Sequence, residues 1–312
     1  MKNIVFLDAL SLGECDLSVF ASFGNFRAYP TTAPSEVLEH TKDAHIILTN
    51  KVVLDSAILA KLANLELICI TATGMNNVDL AYAKQQGIVV KNVAGYSTNA
   101  VAQHTLMVAL NFLGNLRYFD EYCKSGGWSK SAVFTHIKEP IRELDGLEWG
   151  IIGLGNIGKR VCDIAQNFGA NVSYYSTSGK NTDSRIEQKS LDSLLQESDI
   201  ISIHAPLNQN TKNLLHSGNL GLLKKGAMLL NMGRGAIVNE EDVATLLESK
   251  DFYFGTDVLA TEPMTKNHPL LNPKIANKII ITPHYAWAYD KARARLIDGV
   301  KKNIQEFIEN KV

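Results

Sequence analysis

Long hydrophobic runs are missing from this 312-residue sequence. The N-terminal stretch Met1-Lys2-Asn3-Ile4-Val5-Phe6-Leu7-Asp8 is too short for the apolar region of a signal peptide, and nothing later approaches the roughly 18 apolar residues of a membrane helix. An excess of either charge is missing too: 31 Lys and Arg stand against 32 Asp and Glu, so no net field draws nucleic acid or an anionic membrane. Cysteine is scarce. Cys15, Cys69, Cys123 and Cys162 form no C-x-x-C pair or His/Cys cluster, which argues against a disulfide framework and a metal site and leaves reduced thiols as the reading. No internal repeat or low-complexity segment is visible, and neither proline nor glycine is in excess. These absences lead us to expect a cytoplasmic enzyme. What is present is a globular composition, 46% apolar and 20% charged, with chain enough for two cores.

The run Gly146-Leu147-Glu148-Trp149-Gly150-Ile151-Ile152-Gly153-Leu154-Gly155-Asn156-Ile157-Gly158 carries the strongest local signal. An apolar strand ends at Gly153, glycines follow at the G-x-G-x-x-G spacing, and an amphipathic stretch from Asn156 to Phe168 reads as a helix closed by Gly169. A dinucleotide pyrophosphate needs that order. Gly153 permits a tight turn, Gly155 lets backbone approach the phosphates, Gly158 lets helix pack on strand, and the helix N-terminus faces the anion.

The first hundred residues alternate strand patterns (4–7, 44–48, 65–71, 88–93) with helix patterns (35–41, 55–63, 78–86), which implies a parallel sheet covered on both faces. This unit has no glycine fingerprint. One turn in it stands out, Thr71-Ala72-Thr73-Gly74-Met75-Asn76-Asn77-Val78-Asp79, at the C-terminal end of an apolar strand. Its amides could hold a carboxylate; equally, it is a plain turn in which Asn77 or Asp79 caps the next helix. From Thr98 to Tyr122 the pattern is one long amphipathic helix, suited to bridging two domains, with His104 read as a packed or capped residue rather than a catalyst. After the fingerprint, strand patterns at 172–175, 200–204, 227–231, 252–257 and 278–282 alternate with helix patterns, and a last helix spans about 290–308. This second half reads as a doubly wound Rossmann unit.

Three polar residues sit where strands of this sheet end: Arg234 in Asn231-Met232-Gly233-Arg234-Gly235, Glu262 in Asp257-Val258-Leu259-Ala260-Thr261-Glu262-Pro263, and His284 in Thr282-Pro283-His284. Each alone has a bland explanation as a loop residue. Together they supply what carbonyl reduction requires: a cation to clamp a carboxylate, an imidazole to give a proton, and an acid to orient that imidazole.

With these motifs in place, the sequence resembles the D-isomer-specific 2-hydroxyacid dehydrogenases, and among them the glycerate dehydrogenases (hydroxypyruvate reductases), over nearly its whole length. The 72–79 turn, Gly95-Tyr96-Ser97-Thr98 with Val101-Ala102-Gln103-His104, Gly126-Gly127-Trp128-Ser129, the fingerprint, 231–235, 257–263 and Pro283-His284 carry the likeness. The resemblance implies an α/β fold of two doubly wound parallel-sheet domains joined by crossing helices: a flavodoxin-like substrate domain of 1–97 plus 285–312, and a Rossmann cofactor domain of 98–284. It implies that Arg234 binds the substrate carboxylate and carbonyl, that His284 is the acid/base, that Glu262 pairs with its other nitrogen, and that amides near Thr73 and Gly74 cradle the carboxylate. Asn156 and Ile157 would meet the pyrophosphate. Ala205, Pro206, Thr211, Met232, Gly233 and Arg234 would line the cofactor walls, Asp257 would hold the carboxamide, and the protein would be a homodimer. The reaction so implied is hydride transfer between NAD or NADP and a small D-2-hydroxy acid or its 2-oxo acid, such as D-glycerate, hydroxypyruvate or glyoxylate.

One departure bears on the cofactor. An acid about 20 residues past the fingerprint usually binds the ribose 2′-hydroxyl of NAD. Here the strand runs out into Tyr175-Ser176-Thr177-Ser178-Gly179-Lys180, with no acid before Asp183. That removes repulsion toward a 2′-phosphate and leans the reading to NADP tolerance; the other reading is that Ser176 hydrogen-bonds the NAD ribose. Formate and phosphite dehydrogenases share the implied fold, but formate dehydrogenases pair the histidine with Gln, against Glu262 here. A non-catalytic, dinucleotide-sensing corepressor-like protein is the alternative from another class.

Overall fold

A computed structural model of the chain describes residues 1–310; Lys311 and Val312, at the end of the expected substrate domain, lie outside the described residues. The chain divides into two compact units, Met1–Ser97 together with the chain from Ala288 onward, and Thr98–Trp287.

The sheet of the first unit has five parallel strands, β1 (Lys2–Phe6), β2 (Gly24–Ala28), β3 (Ile46–Thr49), β4 (Leu67–Ile70) and β5 (Val89–Lys91), in the order β2-β1-β3-β4-β5. That is the flavodoxin-like order. β3 and β4 are buried at every position, which is why they read as continuous apolar runs rather than alternating ones. β2 escaped the sequence reading for the opposite reason. It is a half-exposed edge strand, Gly-Asn-Phe-Arg-Ala, and its glycine lies so close to Lys2 that a Cβ would come within 2.2 Å of the Lys2 carbonyl oxygen. The helices α1 (Val37–Thr41), α2 (Ser56–Leu59) and α3 (Leu80–Gln85) are shorter than their patterns. Asp55 and Asp79 are the N-caps of α2 and α3, accepting from the amides of Ile58 (2.9 Å) and Tyr82 (3.0 Å). At the point where the strand order reverses, between β1 and β3, the Asp8 carboxylate accepts the amides of Asn50 (2.8 Å), Lys51 (2.7 Å) and Val52 (3.3 Å).

The second unit begins with α4 (Thr98–Gly114) and α5 (Leu116–Lys124), where the sequence suggested one helix. The break falls at Gly114-Asn115: Asn115 takes a left-handed conformation, φ 48°, which Asn tolerates and which interrupts the hydrogen-bond ladder. The sheet follows: β6 (Glu148–Ile152), α6 (Asn156–Asn167), β7 (Asn171–Tyr175), β8 (Glu187–Gln188), α7 (Leu191–Glu197), β9 (Ile200–Ile203), α8 (Ser217–Leu220), β10 (Ala227–Asn231), α9 (Glu240–Ser249), β11 (Phe252–Thr256) and β12 (Ile279–Ile281). Its seven parallel strands run β12-β11-β10-β9-β6-β7-β8, the Rossmann order with one strand added at the far edge. Ile201, Ile203, Leu229, Phe252 and Phe254 build the core on one face; Trp149, Ile151, Met228 and Leu230 pack under α4 and α6 on the other. Trp149 is wholly buried, and its indole N–H is satisfied by Ser202 Oγ at 2.9 Å.

The helix α10 (Asp290–Glu309) belongs to the first unit, packing on β4 and bonding through Lys91–Glu306 (2.8 Å), Arg295 Nε to the Tyr96 carbonyl (2.9 Å) and Asn303 to the Asn92 carbonyl (2.9 Å). The division between units falls after Trp287, three residues beyond the 284/285 boundary expected from sequence. Asp257 is the reason. Its carboxylate accepts the amides of Tyr285 (3.0 Å) and Ala286 (2.9 Å), tying those residues to the second unit.

Candidate active site

In the second unit the reversal of strand order lies between β6 and β9, and the fingerprint stands there. Gly153 follows β6 with φ 94°, and a Cβ on it would lie 2.9 Å from Ala205, the second residue after β9. Gly158 presses α6 onto the turn: a Cβ there would come within 2.2 Å of the Gly153 carbonyl oxygen. Gly155 is different. Nothing lies within 4 Å of where its Cβ would be, and as N-cap it offers no side chain to the amides of the first turn, including Asn156 and Ile157. Unsatisfied amides at the positive end of a helix, facing open space, fit a pyrophosphate.

Ala205 is buried and Pro206 exposed. Thr211 is buried with its hydroxyl turned into its own loop, donating to the Pro206 carbonyl (2.6 Å) and accepting from the Asn208 amide (2.8 Å), so it stiffens this wall rather than presenting a hydroxyl. Beyond β7, Ser176 Oγ accepts the Gly179 amide at 3.0 Å, shaping the Ser176–Lys180 turn. Asp183, the first acid past that strand, is gripped by Arg185 through Nε (2.9 Å) and Nη2 (2.6 Å), which holds its carboxyl well below the usual range.

After β10 the chain turns through Met232, buried, and Gly233, whose amide donates to Asn231 Oδ1 at 3.2 Å. Asn231 Nδ2 in turn donates to the Arg234 carbonyl (3.0 Å), and Arg234 Nη1 to the Gly233 carbonyl (2.8 Å). Gly235 can only be glycine here: a Cβ would sit 1.8 Å from the Leu259 carbonyl carbon. The Leu259 amide donates to Glu262 Oε1 at 2.9 Å, and Glu262 Oε2 lies 2.7 Å from His284 Nδ1. The Arg234 and Glu262 loops are therefore in backbone contact, and the carboxylate and imidazole form a direct pair. Both remain partly exposed, with side-chain exposures of 36% for Glu262 and 25% for His284.

His284 has φ 52°, an uncommon conformation for a residue with a side chain, and is held from both sides. Thr282 Oγ1 donates to Asp257 Oδ1 at 2.6 Å, and the same carboxylate takes the two amides after His284. Asp257, assigned from the resemblance to a carboxamide, thus already has three donors, leaving about one of a carboxylate's four acceptor sites. His104 is buried, as expected, with Nε2 3.0 Å from Thr282 Oγ1; burial pushes its pKa down, partly offset by Asp257. Sequence reasoning missed this clamp, and it missed His204. That imidazole is buried at the end of β9 with Nε2 3.0 Å from Ser202 Oγ, and burial drives its pKa down to about 3. Its position one residue before Ala205 was the only available signal.

Thr73 and Gly74 lie in the first unit. Thr73 is exposed; its carbonyl accepts from Asn92 Nδ2 (2.6 Å) and its hydroxyl donates to the Val93 carbonyl (3.3 Å).

A Rossmann sheet with this fingerprint at its switch point and an imidazole–carboxylate pair beside an arginine loop defines a nicotinamide-dependent dehydrogenase. Residues 106–286 match the model of the D-isomer specific 2-hydroxyacid dehydrogenase, NAD binding domain, and the chain belongs to that family. It is 34% identical to a hydroxypyruvate reductase of Blautia hydrogenotrophica, covering 98% of this chain and 97% of that one. It is 33% identical to a glycerate dehydrogenase of Methylorubrum extorquens, covering 99% and 97%. Among solved structures it is similar to a D-lactate dehydrogenase from Aquifex aeolicus complexed with NAD and lactic acid (TM-score 0.83, 27% identity, 99% and 96% covered). An acyclic imino acid reductase in complex with NADPH and D-Arg is also similar (TM-score 0.87, 25% identity, 99% and 97% covered). Among the described residues no helix is long and apolar enough to cross a membrane.

Proposed function

We propose that this protein reduces small 2-oxo acids, hydroxypyruvate and glyoxylate foremost, to the D-2-hydroxy acids. The contact of His284 Nδ1 with Glu262 Oε2 at 2.7 Å carries the reading, because it leaves Nε2 as the atom that exchanges a proton. When bound, the dinucleotide supplies or accepts the hydride. His284 gives its Nε2 proton to the carbonyl oxygen as negative charge develops there, and Glu262 stabilises the imidazolium and fixes its plane. The Arg234 guanidinium clamps the substrate carboxylate and supports the charge on the oxygen. Amides around Thr73 and Gly74 are assigned to substrate binding, so Met1–Ser97 with the chain from Ala288 onward is read as the substrate unit and Thr98–Trp287 as the cofactor unit.

The residues that would hold the dinucleotide are Gly153, Gly155, Asn156, Ile157 and Gly158 at the pyrophosphate. Ser176 takes the ribose, Ala205, Pro206, Thr211, Met232 and Gly233 the walls, and Asp257's remaining acceptor site the carboxamide. NADPH is tolerated alongside NADH in this reading, since Asp183 is neutralised by Arg185 and Ser176 with Lys180 can bond a phosphate. The second unit also exposes Leu116, Trp128, Val133, Phe134, Ile137 and Ile141 within one stretch of chain, which supports a homodimer joined through this unit. This reading places the enzyme in the cytoplasm.

Loss of reduced-nicotinamide absorbance with hydroxypyruvate, glyoxylate and pyruvate, each with NADH and with NADPH, tests the proposal. Turnover of hydroxypyruvate or glyoxylate is expected with both cofactors. Dinucleotide binding with no turnover of any of the acids would overturn it in favour of a sensing protein.

A further inference from the structure

The loop that carries Glu262 is anchored by two buried residues with no part in the chemistry so far described. Glu240 opens α9, and its Oε1 accepts the Ala260 amide at 2.7 Å. Its Oε2 lies 3.0 Å from His268 Nε2, in a pair whose side chains are only 10% and 8% exposed. His268 Nδ1 accepts the Leu270 amide at 3.3 Å, so the ring proton sits on Nε2 and is donated to Glu240. A carboxylate this buried persists only when its acceptor sites are filled, and the first turn of α9 adds the favourable end of the helix dipole.

The successive amides of Leu259 and Ala260 therefore go to two different carboxylates: the first to Glu262, which touches His284, and the second to Glu240. The second of these, the Leu259–Ala260 peptide, is pressed against Gly235, next to Arg234. Two adjoining peptide units, joined at Leu259, thus set the placement of the acid and of the arginine loop, and Glu240 is the side chain that fixes the second of them from behind.

We propose that Glu240 and His268 are a positioning pair, holding the Leu259–Ala260 peptide so that Glu262 keeps the proton of the neutral His284 ring on Nδ1. The inference rests on the reading of His284 as the proton donor. Neutral imidazole in water favours the Nε2–H form; a carboxylate on Nδ1 reverses that preference. Releasing Ala260 loosens Glu262 and lets the tautomer relax.

The test compares wild type, Glu240→Ala, Glu240→Gln and, as a neighbour in the same turn, Glu241→Ala. Steady-state kinetics with hydroxypyruvate are read beside ring 15N shifts of His284, assigned with His284→Gln. In Glu240→Ala, kcat is expected to fall about tenfold, the scale of a modest misplacement of a reacting group, while dinucleotide affinity holds and the Nδ1–H form loses population. Glu240→Gln, whose amide oxygen still accepts from Ala260, recovers most of the loss, and Glu241→Ala behaves as wild type. If the alanine variant does not fold, His268→Ala carries the test, with a smaller change of the same sign. Unchanged His284 ring shifts in a folded Glu240→Ala or His268→Ala protein would overturn the inference, whatever happens to kcat. A wild-type protein that turns over no 2-oxo acid, but whose ring shifts still depend on Glu240, would remove the proposed activity and leave the positioning pair standing.

Discussion

An imidazole bound through one nitrogen to a carboxylate exchanges protons through the other, and that asymmetry is what the contact of His284 with Glu262 establishes. His284→Ala is expected to lower kcat by about 10² to 10⁴, the usual scale of a general acid, with dinucleotide affinity unchanged. Steady-state assay and fluorescence titration of the reduced cofactor measure the two quantities separately; turnover near wild type would take the role from His284. Arg234, Glu262 and His284 stood out in the sequence as candidates because each follows a strand pattern of the same sheet. The surroundings that hold them did not. Asp257 serves Thr282, Tyr285 and Ala286 across more than twenty residues of intervening chain, and Thr211 turns its hydroxyl inward. No local pattern encodes where such polar atoms find their partners, since loop closure decides it.

Two glycines of the fingerprint, only three residues apart, act through opposite conditions of space. Gly158 faces a carbonyl oxygen at 2.2 Å from its absent Cβ, whereas Gly155 faces nothing within 4 Å. Gly158→Ala is accordingly expected to destabilise the fold by about 1–3 kcal/mol through overpacking, read as a lower urea midpoint. Gly155→Ala should leave that midpoint in place and weaken dinucleotide binding by about tenfold or more, or 1.4 kcal/mol, by intruding on the pyrophosphate. Equal loss of stability in the two variants would contradict this division of labour. The strand–glycine–helix unit was readable because its periodicities change sharply at Gly153. The edge strand β2, half exposed and without an apolar run, had no such contrast, and the break at Gly114-Asn115 lay inside an amphipathic pattern that continues across it.

The folded molecule as a whole keeps His204 uncharged, with burial holding its pKa at about 3 against about 6.5 in an unfolded chain. Between those values the unfolded state binds the extra proton, so stability rises with pH. The contribution is complete above about pH 6.5 and is lost as pH falls toward 3, at up to about 1.4 kcal/mol per pH unit. Urea midpoints measured from pH 7 to pH 4 are expected to decline more steeply in the wild type than in a His204→Gln variant; parallel declines would remove His204 as a source of acid sensitivity. The alternation of elements made both sheets legible at this scale, and the arrangement of strands matched because parallel crossovers admit few orders. The smaller sheet has a reversal point of its own, yet Asp8 occupies it and consumes three consecutive amides there. A nest already filled by an internal anion has no room for an external phosphate, so each polypeptide is expected to saturate with a single equivalent of nucleotide in a calorimetric titration.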